Sequence, residues 1–296
     1  MSDLQVIDNI KKITNNFYYE FIDNQCVKIS FTDKSDPYYG TIRHISHEDK
    51  KFIISNIKKL EHLEYLDLRK NRLNEIQDIS NLKNIKYIDL SSNYLNEFPN
   101  WITKLNNLEH LGIGVNNINY IPDDIINLNL KTFNLHKNKI KTLPKIQTKN
   151  LIKINLYLNR MNDIPSFIWE CNNLEYFGWG VSAIKEIPSE ISNCSNLKWL
   201  SLVHNKIKKL PDSFCKLHNL IGTRLNKNLI SQLPEQIGNL SNLKFITLYD
   251  NKISELPKSF YNLNLEKINL SKNNINEDDI KLLNKKNYKW ISLDLD

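Results

Sequence analysis

A single phrase of sequence recurs along most of this chain of 296 residues. It has the form L-x-x-L-x-L-x-x-N-x-I-x-x-L-P-x-x-I-x-x-L and returns at intervals of 21 to 23 residues. Self-similarity at such a period is typical of stacked repeat architectures, so it constrains the fold more than any other feature. The ten copies begin at Leu63, Ile85, Leu108, Leu130, Leu151, Leu174, Leu197, Leu220, Leu243 and Leu265.

The first half of each copy predicts a short strand. In LEYLDL, residues 63–68, Leu66 and Leu68 point to one face while Tyr65 and Asp67 point to the other, because side chains alternate along a strand. Successive strands are expected to stack in parallel about 4.8 Å apart. The second half carries a proline in most copies, which favours a short helical or irregular return. One such coil cannot bury its apolar face alone, so the copies bury one another as a solenoid.

This pattern resembles the leucine-rich repeat family from residue 63 to about residue 280. Its Leu-Pro step is similar to the class of roughly 23 residues that is common in intracellular members related to Ras-binding scaffolds. The resemblance implies an α/β solenoid with a parallel sheet on its concave side and short helical or irregular segments on its convex side. We expect about eleven parallel strands. Because the family hosts many unrelated functions, the resemblance predicts the fold and not the activity.

The chain is predicted to have three regions. Residues 1–56 form an N-terminal flanking or capping region, residues 57–280 form the array of ten repeats, and residues 281–296 form a C-terminal cap with a last strand. Terminal repeats of an array are atypical because they have to cover its exposed ends.

Both flanking regions carry secondary-structure signals of their own. Apolar residues at roughly helical spacing predict an amphipathic capping helix over residues 4–21. Residues 26–31, CVKISF, predict an edge strand, and residues 32–51 predict an irregular connection. Acidic residues favour a helix N-terminus within residues 276–286, and residues 288–296 predict the last strand.

An asparagine follows the strand in nine of the ten copies, and we interpret this column as structural. The backbone turns inward there, so its N–H and C=O groups leave the sheet and need other partners. A carboxamide both donates and accepts, so stacked amides satisfy the turns above and below. In the copy YFGWGVSAI, Ser182 occupies the asparagine position and Trp179 occupies an inward leucine position. The column comprises Asn71, Asn93, Asn116, Asn138, Asn159, Asn205, Asn228, Asn251 and Asn273.

The formal net charge of +7 raises the question of an acidic ligand. Residues 1–56 are close to neutral, so the excess lies in the repeats. We interpret the lysines first as solvated surface, second as contacts to an acidic protein, and last as contacts to nucleic acid. The two clusters are Lys137, Lys139, Lys141, Lys145, Lys149 and Lys153, and Lys206, Lys208 and Lys209.

No pattern for catalysis, cofactor binding or metal binding stands out in the sequence, which favours a protein that is not an enzyme. His110 and His136 are interpreted as exposed strand residues rather than metal ligands. Cys171 and Cys194 lie one repeat apart at leucine positions, where buried thiols are favoured over a disulfide or metal pair. The chain has neither a long apolar run nor a secretory signal pattern, so we expect no membrane insertion and a cytoplasmic location, with the nucleus as an alternative.

The outward strand positions are the most informative about function, because there the fold does not dictate the residue. Large aromatic residues on a face that meets water favour partner binding, although they also suit packing between strands. In the copy YFGWGVSAI, Gly178 and Gly180 are predicted to leave a trough beside Tyr157, Tyr176 and Trp199. The predicted partner-binding residues are Tyr157, Tyr176, Trp199, Gly222, Arg224, Phe245 and Tyr249.

The same positions predict a specific notch. Gly222 lies between Trp199 and Phe245 on the neighbouring strands, so it would form the floor of a notch walled by two aromatic rings. The notch would accept an apolar side chain, and Arg224 would pair with an adjacent carboxylate. The alternative is that the two rings lean over Gly222 and close the gap.

The sequence therefore predicts a protein–protein interaction module, expected to be monomeric, that acts as an adaptor or scaffold through its concave face. By resemblance, a small GTPase, a signalling protein or a component of the ubiquitin pathway is a plausible partner, but no residue selects one. One alternative is the substrate-recognition part or regulator of an enzyme complex. Another is a binder of nucleic acid or of another acidic surface, which strong salt dependence would reveal.

Overall fold

The computed structural model describes residues 1–32, 40–286, 288 and 290–292. Two compact units divide the chain, Met1–Gln147 and Thr148–Asp296. Each consists of stacked coils in which a short strand is followed by an irregular or 3-10 helical return.

The first unit opens with α1 (Asp3–Lys11), the strands β1 (Tyr18–Ile22) and β2 (Gln25–Ser30), and α2 (His47–Ile57). The repeats then begin, and 3-10 helices of five residues, Asn100–Lys104 and Asp123–Asn127, lie in two of their returns. Within this unit β2 and the repeat strands run parallel in chain order. The repeat strands are β3 (Tyr65–Asp67), β4 (Tyr87–Asp89), β5 (His110–Gly112) and β6 (Thr132–Asn134).

The second unit continues the same plan, and each of its strands runs parallel to the next. Its strands are β7 (Lys153–Asn155), β8 (Tyr176–Gly180), β9 (Trp199–Val203), β10 (Gly222–Arg224), β11 (Phe245–Thr247), β12 (Lys267–Asn269) and β13 (Trp290–Ser292). The helix α3 (Glu277–Asn284) lies between β12 and β13. The 3-10 helices are Ser166–Glu170, Ser189–Asn193, Asp212–Lys216, Ile237–Asn239 and Lys258–Asn262.

The predicted parallel strands with short returns are therefore confirmed. In the part of the chain that the structure describes, twelve strands, β2 to β13, run parallel to a neighbour within their unit, against about eleven expected. The inward leucine and isoleucine positions form the core of each unit, as Leu66, Ile154 and Ile246 illustrate with 1% exposure or less.

The asparagine column lies inside the turns, where seven of its nine members are buried and Asn159 and Asn251 are half-buried. Asn228 is representative: its Nδ2 donates to the carbonyls of Leu202 and Leu225, and its Oδ1 accepts from the N–H of Ile207. The Asn228 amide thus joins its own strand end to the turn of the preceding repeat. The column thus has the geometry that a structural role requires.

The column is interrupted beside Ser182. Among the described residues, the Asn205 carboxamide donates only within its own turn, to Leu202 and Val203, and its buried Oδ1 has no partner. The Ser182 hydroxyl instead donates to the carbonyl of Met161 at 2.8 Å. Serine therefore replaces only part of what asparagine supplies.

The predicted capping helix over residues 4–21 is too long. The helix α1 starts at a capping box formed by Ser2 and Gln5 and ends at Lys11. Residues 18–22 form β1 instead, because Asp23 and Asn24 have φ values of 49° and 62° and make a two-residue hairpin to β2. A hairpin of this kind pairs β1 antiparallel with β2.

Two further predictions for the N-terminal region need correction. The strand predicted at residues 26–31 is present as β2, but it is not an edge strand, because β1 lies outside it. The connection predicted over residues 32–51 is not irregular throughout. The Ser46 hydroxyl caps α2, so residues 47–51 are helical, while residues 33–39 lie outside the described residues.

The C-terminal helix agrees with its prediction. The Asn276 side chain accepts from the N–H of Asp279 and caps α3, whose first turn carries three acidic residues. The last strand is present as β13, and the remainder of the predicted strand, residues 293–296, lies outside the described residues. None of the helices among the described residues is long and apolar enough to span a membrane.

Candidate functional site

All seven predicted partner-binding residues lie in the second unit. Tyr176, Trp199, Gly222, Arg224 and Phe245 lie on β8 to β11, and Tyr157 and Tyr249 follow β7 and β11 by two residues. We call the outward side chains of β7 to β12, with the two residues that follow each strand, the second-unit face.

The strand register decides which of these residues are neighbours. Gly222 pairs with Trp199 on one side and with Phe245 on the other, as predicted. Arg224 pairs with Ser201 and Thr247 in the same way.

The predicted notch above Gly222 is closed. The rings of Trp199 and Phe245 are stacked, with their centroids 5.7 Å apart and their planes 17° apart. A Cβ atom added to Gly222 would clash with the Trp199 ring. The rings close the gap because stacking buries more apolar surface than two isolated walls would. What remains is an apolar platform, of which Trp199 is 41% exposed.

An open cavity of about 470 Å³ lies beside this platform. It contains a single cationic residue, Arg224, and no aspartate or glutamate. Among the described residues, no hydrogen bond or ion pair is formed by the Arg224 guanidinium. We call this space the Arg224 cavity. It is lined by Asn155, Tyr157, Tyr176, Gly178, Ser201, Val203, Arg224, Asn226, Thr247, Tyr249 and Asn269.

The electrostatics of the cavity favour anions. Burial raises the pKa of the Tyr176 phenol, and the charge of Arg224 opposes that increase. The Tyr176 hydroxyl therefore stays protonated at neutral pH and can donate a hydrogen bond to a ligand. On the opposite side, the Thr247 hydroxyl donates to the Asn226 side chain at 2.9 Å.

The two glycines of β8 do not leave the open trough that the sequence predicts. The Tyr176 ring covers Gly178 and the Tyr157 ring covers Gly180, since an added Cβ would meet these rings at 3.1 and 2.8 Å. The glycines let the two tyrosine rings approach the sheet, and the free space lies further along it, at the Arg224 cavity.

Several features around the cavity cost stability. Four buried side-chain polar atoms lack a partner among the described residues, and three belong to β8, β10 or the turn after β9: Trp179 Nε1, Thr223 Oγ1 and Asn205 Oδ1. The positive φ of Val181, 58°, is not one of these features, because the same position has a similar φ in other repeats, 55° at Val115 and 60° at His204. Local rules that promote stability are broken most often where a protein is shaped for function.

Replacing Thr223 by valine is expected to stabilise the protein by about 1 kcal/mol, because a buried hydroxyl without a partner is removed at constant shape. Urea denaturation followed by circular dichroism measures the change. Thr247→Val is the matched control, and it is expected not to stabilise because that hydroxyl donates to Asn226. A destabilised Thr223→Val protein would show that the Thr223 hydroxyl has a partner.

Sequence reasoning missed the polar floor of the cavity. This floor consists of small polar residues at outward positions of the repeats, which are common on any solvated sheet and so individually give no distinct sequence signal: Asn155, Ser201, Asn226, Thr247 and Asn269. The available signal was an absence of acidic residues from these positions between β7 and β12.

The first unit also has aromatic and charged side chains on its strands, but these satisfy one another. The Tyr65 and Tyr87 rings stack at 4.1 Å. Arg69 donates to the buried Asp67 carboxylate at 2.7 Å and lies 3.5 Å from Asp89. An arginine held by two carboxylates is not available to a ligand, which separates this surface from the Arg224 cavity.

His110 lies on β5 and His136 follows β6 by two residues, but both are half-buried and not exposed as predicted. His110 Nδ1 contacts the Thr132 hydroxyl and His136 Nδ1 contacts Asn134, and no group of three metal-ligating side chains exists among the described residues. Cys171 and Cys194 are free and buried, so the disulfide alternative is wrong. Burial raises the pKa of both thiols to about 12, which keeps them protonated and unreactive at neutral pH.

The lysines of both predicted basic clusters are exposed. Lys208 and Lys209 line a groove of about 1030 Å³ in the second unit together with Asp212, Glu235 and Glu255. Since these acids balance the lysine charges, the groove does not present the one-signed surface that nucleic acid binding needs.

Comparison with known families and structures agrees with the repeat pattern. A family model described as Leucine rich repeat matches residues 61–118, and a second model of the same description matches residues 196–217. None of the curated proteins compared matches the sequence.

Three solved structures are similar to the chain. An internalin from Listeria monocytogenes is 22% identical, with a TM-score of 0.66, over 81% of this chain and 76% of that one. The Arabidopsis receptor kinase HAESA, in complex with the peptide hormone IDA and the co-receptor SERK1, is 21% identical, with a TM-score of 0.76 over 98% of this chain and 53% of that one. The plant peptide hormone receptor RGFR1, in complex with RGF2, is 27% identical, with a TM-score of 0.63 over 73% of this chain and 38% of that one.

The fold is an α/β leucine-rich repeat solenoid. This chain spans about half of the HAESA chain and less of the RGFR1 chain. The Ras-related repeat class and the domain boundaries at residues 56 and 280 stay predictions.

Proposed function

We propose that the chain is a protein–protein interaction module, an adaptor or scaffold, that binds its partner through the second-unit face. The observation that carries the proposal is the exposed Trp199–Phe245 platform next to a cavity whose one cation, Arg224, has no counter-ion among the described residues. Covering the platform removes apolar surface from water, and neutralising the guanidinium gives the contact specificity.

The composition of the face supports this proposal. Protein interfaces are enriched in tyrosine, tryptophan and arginine, and the residues that contribute most to binding are often of these types. The second-unit face has Tyr157, Tyr176, Trp199, Arg224 and Tyr249 around one cavity or at its edge. Two of the similar structures are plant receptors in complex with peptide hormones, which is consistent with a repeat face that binds a polypeptide.

We also propose that the protein is a monomer in the cytoplasm or nucleus. Its four cysteines are free and buried, which is compatible with a reducing compartment. The resemblance to scaffold-like repeats makes a signalling partner plausible. A role as the recognition part of an enzyme complex would use the same face, and a catalytic chain among the captured partners would reveal it.

Truncating the platform tests the proposal. Trp199→Ala is expected to leave the protein folded, because the ring is partly exposed, and to reduce recovery of captured partners at least about tenfold, as loss of a central aromatic contact does. Recovery is measured by affinity capture and quantitative mass spectrometry. The matched control is Tyr120→Ala, which removes an exposed aromatic side chain of the first unit, 56% accessible, and should keep every partner.

The proposal fails if folded Trp199→Ala and Phe245→Ala proteins recover the same partners in the same amounts as the control. Binding would then have to be sought on the first unit or on the loops. Loss of all partners above about 0.3 M salt in the wild type, together with capture of a generic oligonucleotide, would favour the nucleic-acid alternative.

A further inference from the structure

We infer that the Arg224 cavity is a subsite for the carboxylate of an aspartate or glutamate side chain in the partner. The inference rests on the proposed function and names the chemistry that this face selects. It does not depend on the notch above Gly222, which is closed.

Charge is the first argument. The lining residues carry one positive charge and no negative charge, so the cavity attracts anions and repels cations. The nearby Lys227 is not part of the lining, and its ammonium lies 6.0 Å from the centre of the Tyr249 ring. A single guanidinium matches a monoanionic carboxylate, which accepts two parallel hydrogen bonds from arginine.

Room for that contact comes from small side chains. Arg224 pairs with Ser201, and Ser201 pairs with Gly178 on the next strand, so two small residues in a row lie beside the arginine. The influence of Arg224 on the pKa of Tyr176 shows that its charge is felt across this gap. A carboxylate held there would have the guanidinium, the Tyr176 hydroxyl and the Ser201 hydroxyl as donors.

The Trp199–Phe245 platform next to the cavity places a second requirement on the sequence of the partner segment. Gly222, which the Trp199 ring covers, lies two residues before Arg224 on β10, a distance of about 7 Å. Residues i and i+2 of an extended polypeptide project side chains on one side at that same spacing. The partner segment should therefore have an acidic residue and an apolar or aromatic residue two positions apart.

A peptide library is the direct test. Random dodecapeptides displayed on phage would be selected on the wild-type protein, on Arg224→Gln and on Lys267→Gln. Lys267→Gln is the matched control, because it removes an exposed positive charge from the same face outside the cavity lining. Thermal unfolding followed by circular dichroism confirms that each variant is folded.

The wild type and the control are expected to enrich peptides with Asp or Glu two positions from an apolar residue. Arg224→Gln should lose the acidic preference, keep the apolar one, and bind the best acidic peptide at least about tenfold more weakly.

The outcomes separate the inference from the proposed function. Enriched peptides without an acidic residue, or an acidic preference that survives Arg224→Gln, would overturn the carboxylate subsite and leave the module intact. A selected peptide that binds more tightly when phosphoserine replaces its acidic residue would assign the cavity to phosphate instead. Failure of the folded wild type to enrich any peptide would count against polypeptide binding by this face altogether.

Discussion

Replacing Asn228 by alanine is expected to lower the free energy of unfolding by about 3 kcal/mol, because several buried backbone groups lose their partners at once. The Ile207 N–H loses its acceptor, and the carbonyls of Leu202 and Leu225 lose a donor. Asn228 is 5% exposed, so water cannot replace these bonds without opening the turn. Urea denaturation followed by circular dichroism measures the loss.

Asn205 is the matched control within the same column. In the part of the chain that the structure describes, its Oδ1 has no partner and its Nδ2 donates only within its own turn, to Leu202 and Val203. Asn205→Ala therefore removes no bond between repeats and is expected to cost about 1 kcal/mol. Equal losses for the two variants would contradict the interruption of the column beside Ser182. A small loss for Asn228→Ala would contradict the structural role of the column itself.

Much of the fold is predictable from sequence because two periods are superimposed. The spacing of 21 to 23 residues predicts the stacking, and the alternation within LEYLDL predicts which side chains enter the core. Trp179 illustrates how reliable this is: its position predicts burial, and the residue is 2% exposed despite its size.

The N-terminal region was harder to predict because it lies outside the repeat. Spacing alone extended α1 through Phe17 and Phe21, although Asp23-Asn24 followed by an apolar run is a hairpin signal. Ser46 followed by acidic residues likewise marks the start of α2. Both signals span only a few residues. The apolar spacing over residues 4–21 imitates a helical period, and it hides the hairpin signal.

The candidate site, too, is predictable from sequence only in part. Sequence places Trp199 and Phe245 on either side of Gly222, since strand register follows from the repeat. It does not give the side-chain torsion angles, and these decide that the rings stack instead of framing a notch. The Arg224 cavity depends on which neighbours are small, and this becomes visible only when several outward positions are compared together.

Replacing Gly180 by alanine is expected to destabilise the protein by about 3 kcal/mol, at the upper end of what overpacking costs. The new Cβ would lie 2.5 Å from the carbonyl oxygen of Val203, and a backbone group in a sheet cannot move aside as a side chain can. That carbonyl accepts from the N–H of Val181, the residue after β8, so its displacement also weakens the pairing of β8 with β9.

Gly178→Ala on the same strand is the control that isolates the backbone clash. The nearest atoms to its Cβ would belong to side chains, the Asn155 Oδ1 at 2.7 Å and the Tyr176 ring at 3.1 Å. These side chains can move aside, although the Asn155 Oδ1 then loses its bond from the N–H of Tyr157. The expected cost is about 1 kcal/mol, measured by the same urea denaturation. Because Tyr176 would be displaced into the Arg224 cavity, Gly178→Ala should weaken partner capture while the protein stays folded. If Gly180→Ala were as stable as Gly178→Ala, the close approach of β8 and β9 at this point would be wrong, and the glycines would have to be explained by binding alone.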